Sequence, residues 1–329
     1  MSGLHAVAKL AGVSKSTVSR VINNEYGVKT STKEKVEKAI AECGYMANQV
    51  ARDLKSQKTS LIGVIAPRIS SNAVAQGLEG MSGVFEAAGK HILLANSKQD
   101  NGKEIEYIIR FNQRRVEGIL LYATHLDAPL VEAINQSAVP IVLIGQDGSL
   151  FNIPSVIHDD LRVGFSAGLR LIEAGALNIG FIGVNSQDIA VDQHRFQGLQ
   201  QSLQHARKIT PIFHSRGEFS IESGYQQTKK LLLEWPQLDG LFCATDRIAI
   251  GAMKAIVEFN KMPGKDIKVL GVGNDELGQV CTPSLSTFNY AFELSGKKSA
   301  IMLLDLIEHK HAELSKLVLS FDVVDRQSC

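Results

Sequence analysis

At 329 residues the chain is too long for one ordinary domain and suits two or three compact units. Its 44% hydrophobic and 21% charged residues are those of a soluble globular protein. No apolar run reaches transmembrane length, and Met1 to Lys9 lacks the charged and apolar regions of a signal peptide. Four distant cysteines (Cys43, Cys243, Cys281, Cys329) with no CxxC spacing exclude a zinc site or disulfide framework, which points to the cytoplasm. The net charge of +1 hides an asymmetry: residues 1–60 hold ten Lys/Arg against five Asp/Glu, and the remainder 25 against 29. A basic head on a mildly acidic body is the footprint of nucleic-acid binding confined to one end.

Three short helices are expected first. Leu4, Val7, Ala8 and Ala11 form an i, i+3, i+4, i+7 stripe, broken by Gly12-Val13. Ser14 is a good N-cap for a second helix from Lys15 to about Ile22, with Val18, Val21 and Ile22 turned inward. A third helix starts near Thr30 or Ser31, where Ser31-Thr32-Lys33-Glu34 has capping-box spacing, and Gly44 ends it. Residues 46–60 are mostly polar and read as a linker with a marginal helix.

From Leu61 strands and helices alternate. Leu61–Ala66, His91–Ala95, Gly118–Tyr122 and Val139–Ile144 are buried-strand runs separated by helical segments. The beat restarts at Ile179–Gly183, then Leu241–Ala244 and Ile267–Val272. Repeated βα units predict two doubly wound parallel α/β lobes, with a ligand cleft at the carboxyl ends of their strands.

Ala8, Gly12 and Val18 stand at the spacings a helix-turn-helix needs: a small residue at the helix contact, a glycine in the turn and an apolar residue on the second helix. The run Ala11-Gly12-Val13-Ser14 through Thr17-Val18-Ser19-Arg20-Val21-Ile22-Asn23 resembles the lactose-repressor family. Glu34-Lys35-Val36, Gly44-Tyr45, Val50-Ala51 and Leu54 continue the likeness over essentially the whole chain. The resemblance implies a helix-turn-helix head (1–46), a hinge helix and linker (47–60) and a two-lobed, periplasmic-binding-protein-like effector and dimerisation domain (61–329). It places the second helix in the major groove of operator double-stranded DNA, with Lys15, Ser16 and Arg20 at base edges and Thr17, Ser19 and Asn23 on phosphates. It makes Asn48 to Ser56 a helix that forms on the operator, with Val50 and Ala51 pairing across a homodimer and Leu54 wedging the minor groove. Gly3, Ala6 and Ala47 depart from the family's threonine, aspartate and proline, which bears on the first helix's orientation and the hinge's stiffness.

Family positions also supply cleft candidates. Arg195, in Arg195-x-x-Gly198, would fork onto ligand oxygens, and Phe219 would stack on a sugar. Thr245-Asp246 follows a strand and could instead cap the next helix; Ser70, Ser71 and Asn72 follow the first strand. In Gly273-Asn274-Asp275, either Asn274 or Asp275 would touch ligand, while Asp159-Asp160 beside His158 reads as structural. Enzyme motifs (HExxH, GxxxxGK[ST], GxSxG) are absent, so no catalytic residue, cofactor or metal is expected. The implied function is repression of a sugar operon, relieved by a small carbohydrate, sucrose or fructose by the same resemblance. A corepressing ligand such as a purine, or a sugar-binding protein without a regulatory role, are the alternatives.

Overall fold

The computed structural model describes residues 3–22, 25–44, 59–207, 211–309 and 315–329. The chain divides into two compact units, Met1–Thr59 and Ser60–Cys329. The expected boundary at 46/47 lies outside the described residues.

In the first unit α1 spans Leu4–Ala11, α2 Lys15–Ile22 and α3 Thr30–Cys43. Val7, Ala8, Val18, Val21, Val36 and Ala39 form its core. Gly12 and Gly44 end α1 and α3 at φ +65° and +56°, a backbone region that costs a glycine little. Ser14 caps α2, its Oγ accepting from the Thr17 amide at 3.1 Å. The capping box expected at Ser31 does not form. The helix begins at Thr30, one of the two expected starts, after an extended Lys29 whose side chain makes no cap. Gly3 likewise leaves α1 without a side-chain cap, the structural cost of replacing a threonine there.

The second unit carries two six-stranded sheets. The first lobe holds β1 (Leu61–Ala66), β2 (His91–Asn96), β3 (Gly118–Leu121), β4 (Ile141–Ile144), β5 (Ser155–His158) and β11 (Lys316–Leu319), in the order β11-β5-β4-β3-β1-β2. All its neighbours pair parallel. The second lobe holds β6 (Ile179–Gly183), β7 (Phe213–Arg216), β8 (Gly240–Cys243), β9 (Lys268–Val272), β10 (Ser286–Tyr290) and β12 (Phe321–Val324), in the order β12-β10-β9-β8-β6-β7. Only the β10–β12 pairing is antiparallel. The central strands are buried on both faces, as parallel sheets flanked by helices require.

Helices α4 (Asn72–Ala87), α5 (Asn101–Gln113), α6 (Ala128–Asn135) and α12 (Phe292–His309) serve the first lobe. Helices α7 (Asp160–Glu173), α8 (Arg195–His205), α9 (Ile221–Glu234), α10 (Asp246–Glu258) and the short α11 (Glu276–Val280) serve the second. The helix pairs α4–α12, α7–α8 and α9–α10 cross where glycines meet backbone. A Cβ on Gly296, Gly198 or Gly251 would drive into the carbonyl of Gly77, Leu161 or Ile221 respectively. The chain passes between the lobes three times: from β5 into α7, from β10 into α12, and from β11 into β12. These crossings place His158, Asp160, Tyr290 and Phe292 on the floor of the cleft.

Candidate functional site

The floor is a stack of rings. His158 lies face to face with Tyr290, centroids 4.3 Å apart, and Phe292 stands edge-on to both. Asp160 is turned inward while its neighbour Asp159 caps α7 through the Arg162 amide. The Asp160 carboxylate receives the Tyr290 hydroxyl at 2.8 Å and Arg195 Nε at 2.7 Å, and Arg195 Nη2 lies 2.6 Å away. Arg195 Nη1 also donates to the Ala244 carbonyl. Burial works against the Arg195 charge, but adjacent Asp160 more than offsets it and holds the guanidinium protonated. Arg195 is therefore a buried strut whose fork is committed to Asp160, not an open fork awaiting ligand oxygens. It is 5% exposed, so the ion pair lies inside the molecule and not on its surface.

Above this floor lies a cavity of about 150 Å³, bounded by Arg68, Ser71, Gln146, Asp188, Phe219 and Ser295 as well as the ring stack and Arg195. Three buried polar atoms beside it have no hydrogen-bond partner among the described residues: Arg68 Nε, His158 Nε2 and Ser295 Oγ. Burial pushes His158 down to about 4, so its ring is neutral at physiological pH. Burial pushes Asp188 up to about 6 although the Val191 amide and Gln146 donate to it. A cavity lined by rings on one side and unpaired donors and acceptors on the other suits a small polar ligand with an apolar face.

A smaller chamber of about 70 Å³ adjoins it, lined by Ser71, Asn72, Thr245, Asp246, Arg247, Gly273 and Asp275. Arg68 and Phe219 border both chambers. The Arg68 guanidinium sits 4.1 Å from the centroid of the Phe219 ring, and its Nη1 donates to the Phe219 carbonyl at 3.2 Å. One face of Phe219, expected to lie against a sugar, thus carries an arginine from the opposite lobe.

Of the other candidates, Thr245 caps α10 through the Ile248 amide. Asp246 does not cap; its buried carboxylate takes the Thr287 hydroxyl at 2.5 Å and the Asp275 amide at 2.7 Å. Asp275 caps α11 and pairs with Arg247 at 3.2 Å, bordering the small chamber. Asn274 is held away from it by Asn289 and Arg326. Ser70 is exposed and borders neither chamber, whereas Ser71 and Asn72 border the small one. Sequence reasoning missed Arg68, Gln146, Asp188, Tyr290 and Ser295. Arg68 stood two residues after the first strand, beside serines already singled out, and Gln146 follows a glycine at φ +89° after β4. Asp188 and Ser295 carried no local signal.

In the first unit, Lys15, Ser16 and Arg20 are exposed along α2, and Thr17 and Ser19 half-buried. Ser14 Oγ lies 2.7 Å from the Ser16 hydroxyl and 2.9 Å from that of Thr17, which orders both. Arg20 leans back toward the following turn, 3.5 Å from Glu25 and donating to the Tyr26 carbonyl at 3.3 Å. Asn23, Asn48, Val50, Ala51 and Leu54 lie outside the described residues.

Two family profiles match the chain: the lacI family of bacterial regulatory proteins over residues 3–48, and a periplasmic binding protein-like domain over residues 169–329. A sucrose operon repressor of Staphylococcus xylosus is 33% identical over 313 residues, covering 95% of this chain and 96% of that protein. The chain belongs to the lacI family of bacterial regulatory proteins. The solved lac repressor dimer bound to operator and the anti-inducer ONPF superposes with a TM-score of 0.91 at 27% identity, covering 99% of this chain and 98% of that one. A complex of the transcriptional regulator CelR with cellobiose, also 27% identical, covers both chains fully at a TM-score of 0.74. As a lacI-family member the chain is a DNA-binding transcription regulator and not an enzyme. Among the described residues no helix is long and apolar enough to cross a membrane, and no cluster of His, Cys, Asp or Glu could hold a metal ion.

Proposed function

We propose that this regulator is a homodimeric repressor of a sugar-utilisation operon, released from its operator when a carbohydrate occupies the cleft between its lobes. The observation that carries the reading is the hinge cavity itself. Ring faces and three unpartnered buried polar atoms converge there on the segments that join the lobes, so occupancy is coupled to lobe geometry. Its relatives point the same way, one named for a sucrose operon and one solved with cellobiose. Sucrose, or fructose derived from it, is the first effector to try.

At the other end, Lys15, Ser16 and Arg20 address base edges while Thr17, Ser19 and Asn23 fix the register on phosphates. Residues 1–46 form the reading head and 61–329 the sensor. Between them, residues 47–60 supply Asn48, Val50 and Ala51 for pairing across the dimer and Leu54 for the minor-groove wedge. In the cleft, Ser71, Arg195, Phe219, Asp246 and Asp275 hold the effector or the residues that touch it. Two symmetry-related heads read two half-sites. The test is titration of the purified protein onto a palindromic operator from beside its own gene, at fixed salt, with and without sucrose or fructose. Release by either sugar is expected. Tight binding that ignores all carbohydrates, or that a purine strengthens, would overturn the reading.

A further inference from the structure

Arg68 is the cation of the cleft that makes no ion pair with a carboxylate among the described residues, whereas Arg195 pairs with Asp160 and Arg247 with Asp275. Its guanidinium packs on the ring and donates to the carbonyl of Phe219, and its Nε is buried without a hydrogen-bond partner among the described residues. Burial, reinforced by Arg247, pushes it down to about 10, and the more distant carboxylates of Asp188 and Glu218 offset this only in part. A guanidinium in this state is costly unless something anionic joins it.

The surroundings of Arg68 are built for that. It borders the small chamber together with Ser71, Asn72 and Ala73, the opening of the 16-residue helix α4. Ser71, at the capping position, makes no side-chain bond back to the first turn, so that turn's amides are not closed by a cap. The amide end of a helix favours a negative group by hydrogen bonds and by its dipole. Arg247 lines the opposite wall. The chamber's two carboxylates are already committed, Asp246 to Thr287 and the Asp275 amide, Asp275 to Arg247 and the Leu277 amide. Behind Arg68 the larger chamber offers two more unpartnered groups, His158 Nε2 and Ser295 Oγ, both on residues more than nine-tenths buried. The cleft is thus divided: a polar, ring-floored chamber of about 150 Å³ and a cationic annex of about 70 Å³, with Arg68 between them.

We propose that the effector is an anionic carbohydrate, a sugar phosphate or a sugar acid, whose negative group seats on Arg68 at the open end of α4 while its hydroxyls meet His158 and Ser295. This rests on the carbohydrate reading of the cleft and narrows it.

The experiment is calorimetric titration of the full chain with paired ligands: fructose and fructose 6-phosphate, glucose, glucose 6-phosphate and gluconate, sucrose and sucrose 6-phosphate. Each is repeated on Arg68→Gln and Arg68→Lys, with thermal unfolding to verify that both variants fold. A phosphorylated sugar or gluconate should bind at least tenfold more tightly than its neutral parent. Arg68→Gln should erase that advantage, a loss of about 10–100-fold for a charge-assisted contact. Arg68→Lys should retain part of it. Which arm binds, ester or acid, identifies the anionic group. Equal affinity for neutral and charged forms, equally reduced in both variants, overturns the anionic effector and leaves the carbohydrate reading standing. Binding of none of these ligands overturns both.

Discussion

Gln146 of the first lobe donates from Nε2 to Asp188 of the second at 3.0 Å, and the same nitrogen reaches the Thr124 carbonyl at 3.2 Å. This amide and the Arg68–Phe219 pair are polar contacts that strap one lobe to the other across the mouth of the cleft. The cavity they close over, at about 150 Å³, is smaller than the ~300–1,000 Å³ of most small-molecule sites. Entry of a carbohydrate therefore works against the strap. Gln146→Ala should tighten effector binding by about three- to tenfold, the worth of one hydrogen bond. Calorimetric titration reads it; weaker binding would mean that Gln146 holds the ligand itself.

Glu104 is fully buried behind the first sheet. Its Oε1 accepts from the Thr124 hydroxyl at 2.7 Å, from the Thr124 amide and from Ser97, while Oε2 has no partner among the described residues. Burial pushes it up to about 7. A carboxyl that keeps its proton longer when folded contributes stability at acid pH and loses it as pH rises from about 4.5 to 7. His158, pushed down to about 4, contributes the opposite slope between about 4 and 6.5, in the wild type and in any Glu104 variant alike. The difference between Glu104→Gln and wild type thus isolates Glu104. Urea unfolding across pH 4.5–8 should show the variant gaining steadily on the wild type up to about pH 7, by of order 3 kcal/mol, and level beyond. A difference independent of pH would mean that Glu104 is already ionised.

Arg195→Ala should unfold the sensor unit more readily before any effect on signalling is read, because Asp160 would remain buried at 5% exposure with its charge unanswered. The expected loss is about 3–5 kcal/mol in denaturant unfolding. The pair Asp160→Leu with Arg195→Met should recover most of it. If the single variant is as stable as wild type, the strut reading is wrong and Arg195 is free for ligand.

Gly251→Ala places a methyl against the Ile221 carbonyl where α9 and α10 touch. Backbone on the receiving side cannot rotate away, so about 1–3 kcal/mol of destabilisation is expected. Gly83 lies with nothing near its missing side chain and in a helix. Gly83→Ala should therefore stabilise by about 0.5–1 kcal/mol, and equal effects at both positions would contradict the packing described.

Arg20 must leave Glu25 and the Tyr26 carbonyl to reach a base edge. Arg20→Ala should cost roughly 1–3 kcal/mol of discrimination at one base pair, with little change on random DNA, when both are titrated at one salt concentration. Leu54→Ala should likewise weaken operator binding more than non-specific binding. Uniform losses for both variants would assign these residues to phosphates.

How much of this was legible follows from where each interaction lives. The head was readable almost residue by residue because its signals are local: a stripe of Leu4, Val7, Ala8 and Ala11, a glycine in the left-handed region, a serine cap. The buried strands were readable because Leu61–Ala66 or Ile179–Gly183 are apolar throughout. β7, β10, β11 and β12 were not, since Phe213–Arg216 and Ser286–Tyr290 mix polar residues and β7, β11 and β12 are edge strands, with β10 beside one. In the cleft, sequence could point to residues after strands but not to what they face. Arg195 meets Asp160 35 positions away, Tyr290 meets it 130 away, and Arg68 finds Phe219 across 151. Such pairings are set by the way the lobes close, which no local pattern encodes.

The three passages of chain between the lobes have a mechanical meaning. A single connection would let one lobe swivel in any direction, whereas several in a row leave only rotation about the line through them. With β5–α7, β10–α12 and β11–β12 all crossing between the same two lobes, the connectivity favours a swing about one axis, as of a door on its pins. Because His158, Asp160, Tyr290 and Phe292 sit on two of the pins, whatever lodges there acts on the axle, where a displacement of a fraction of an ångström becomes a larger sweep at the lobes' far ends.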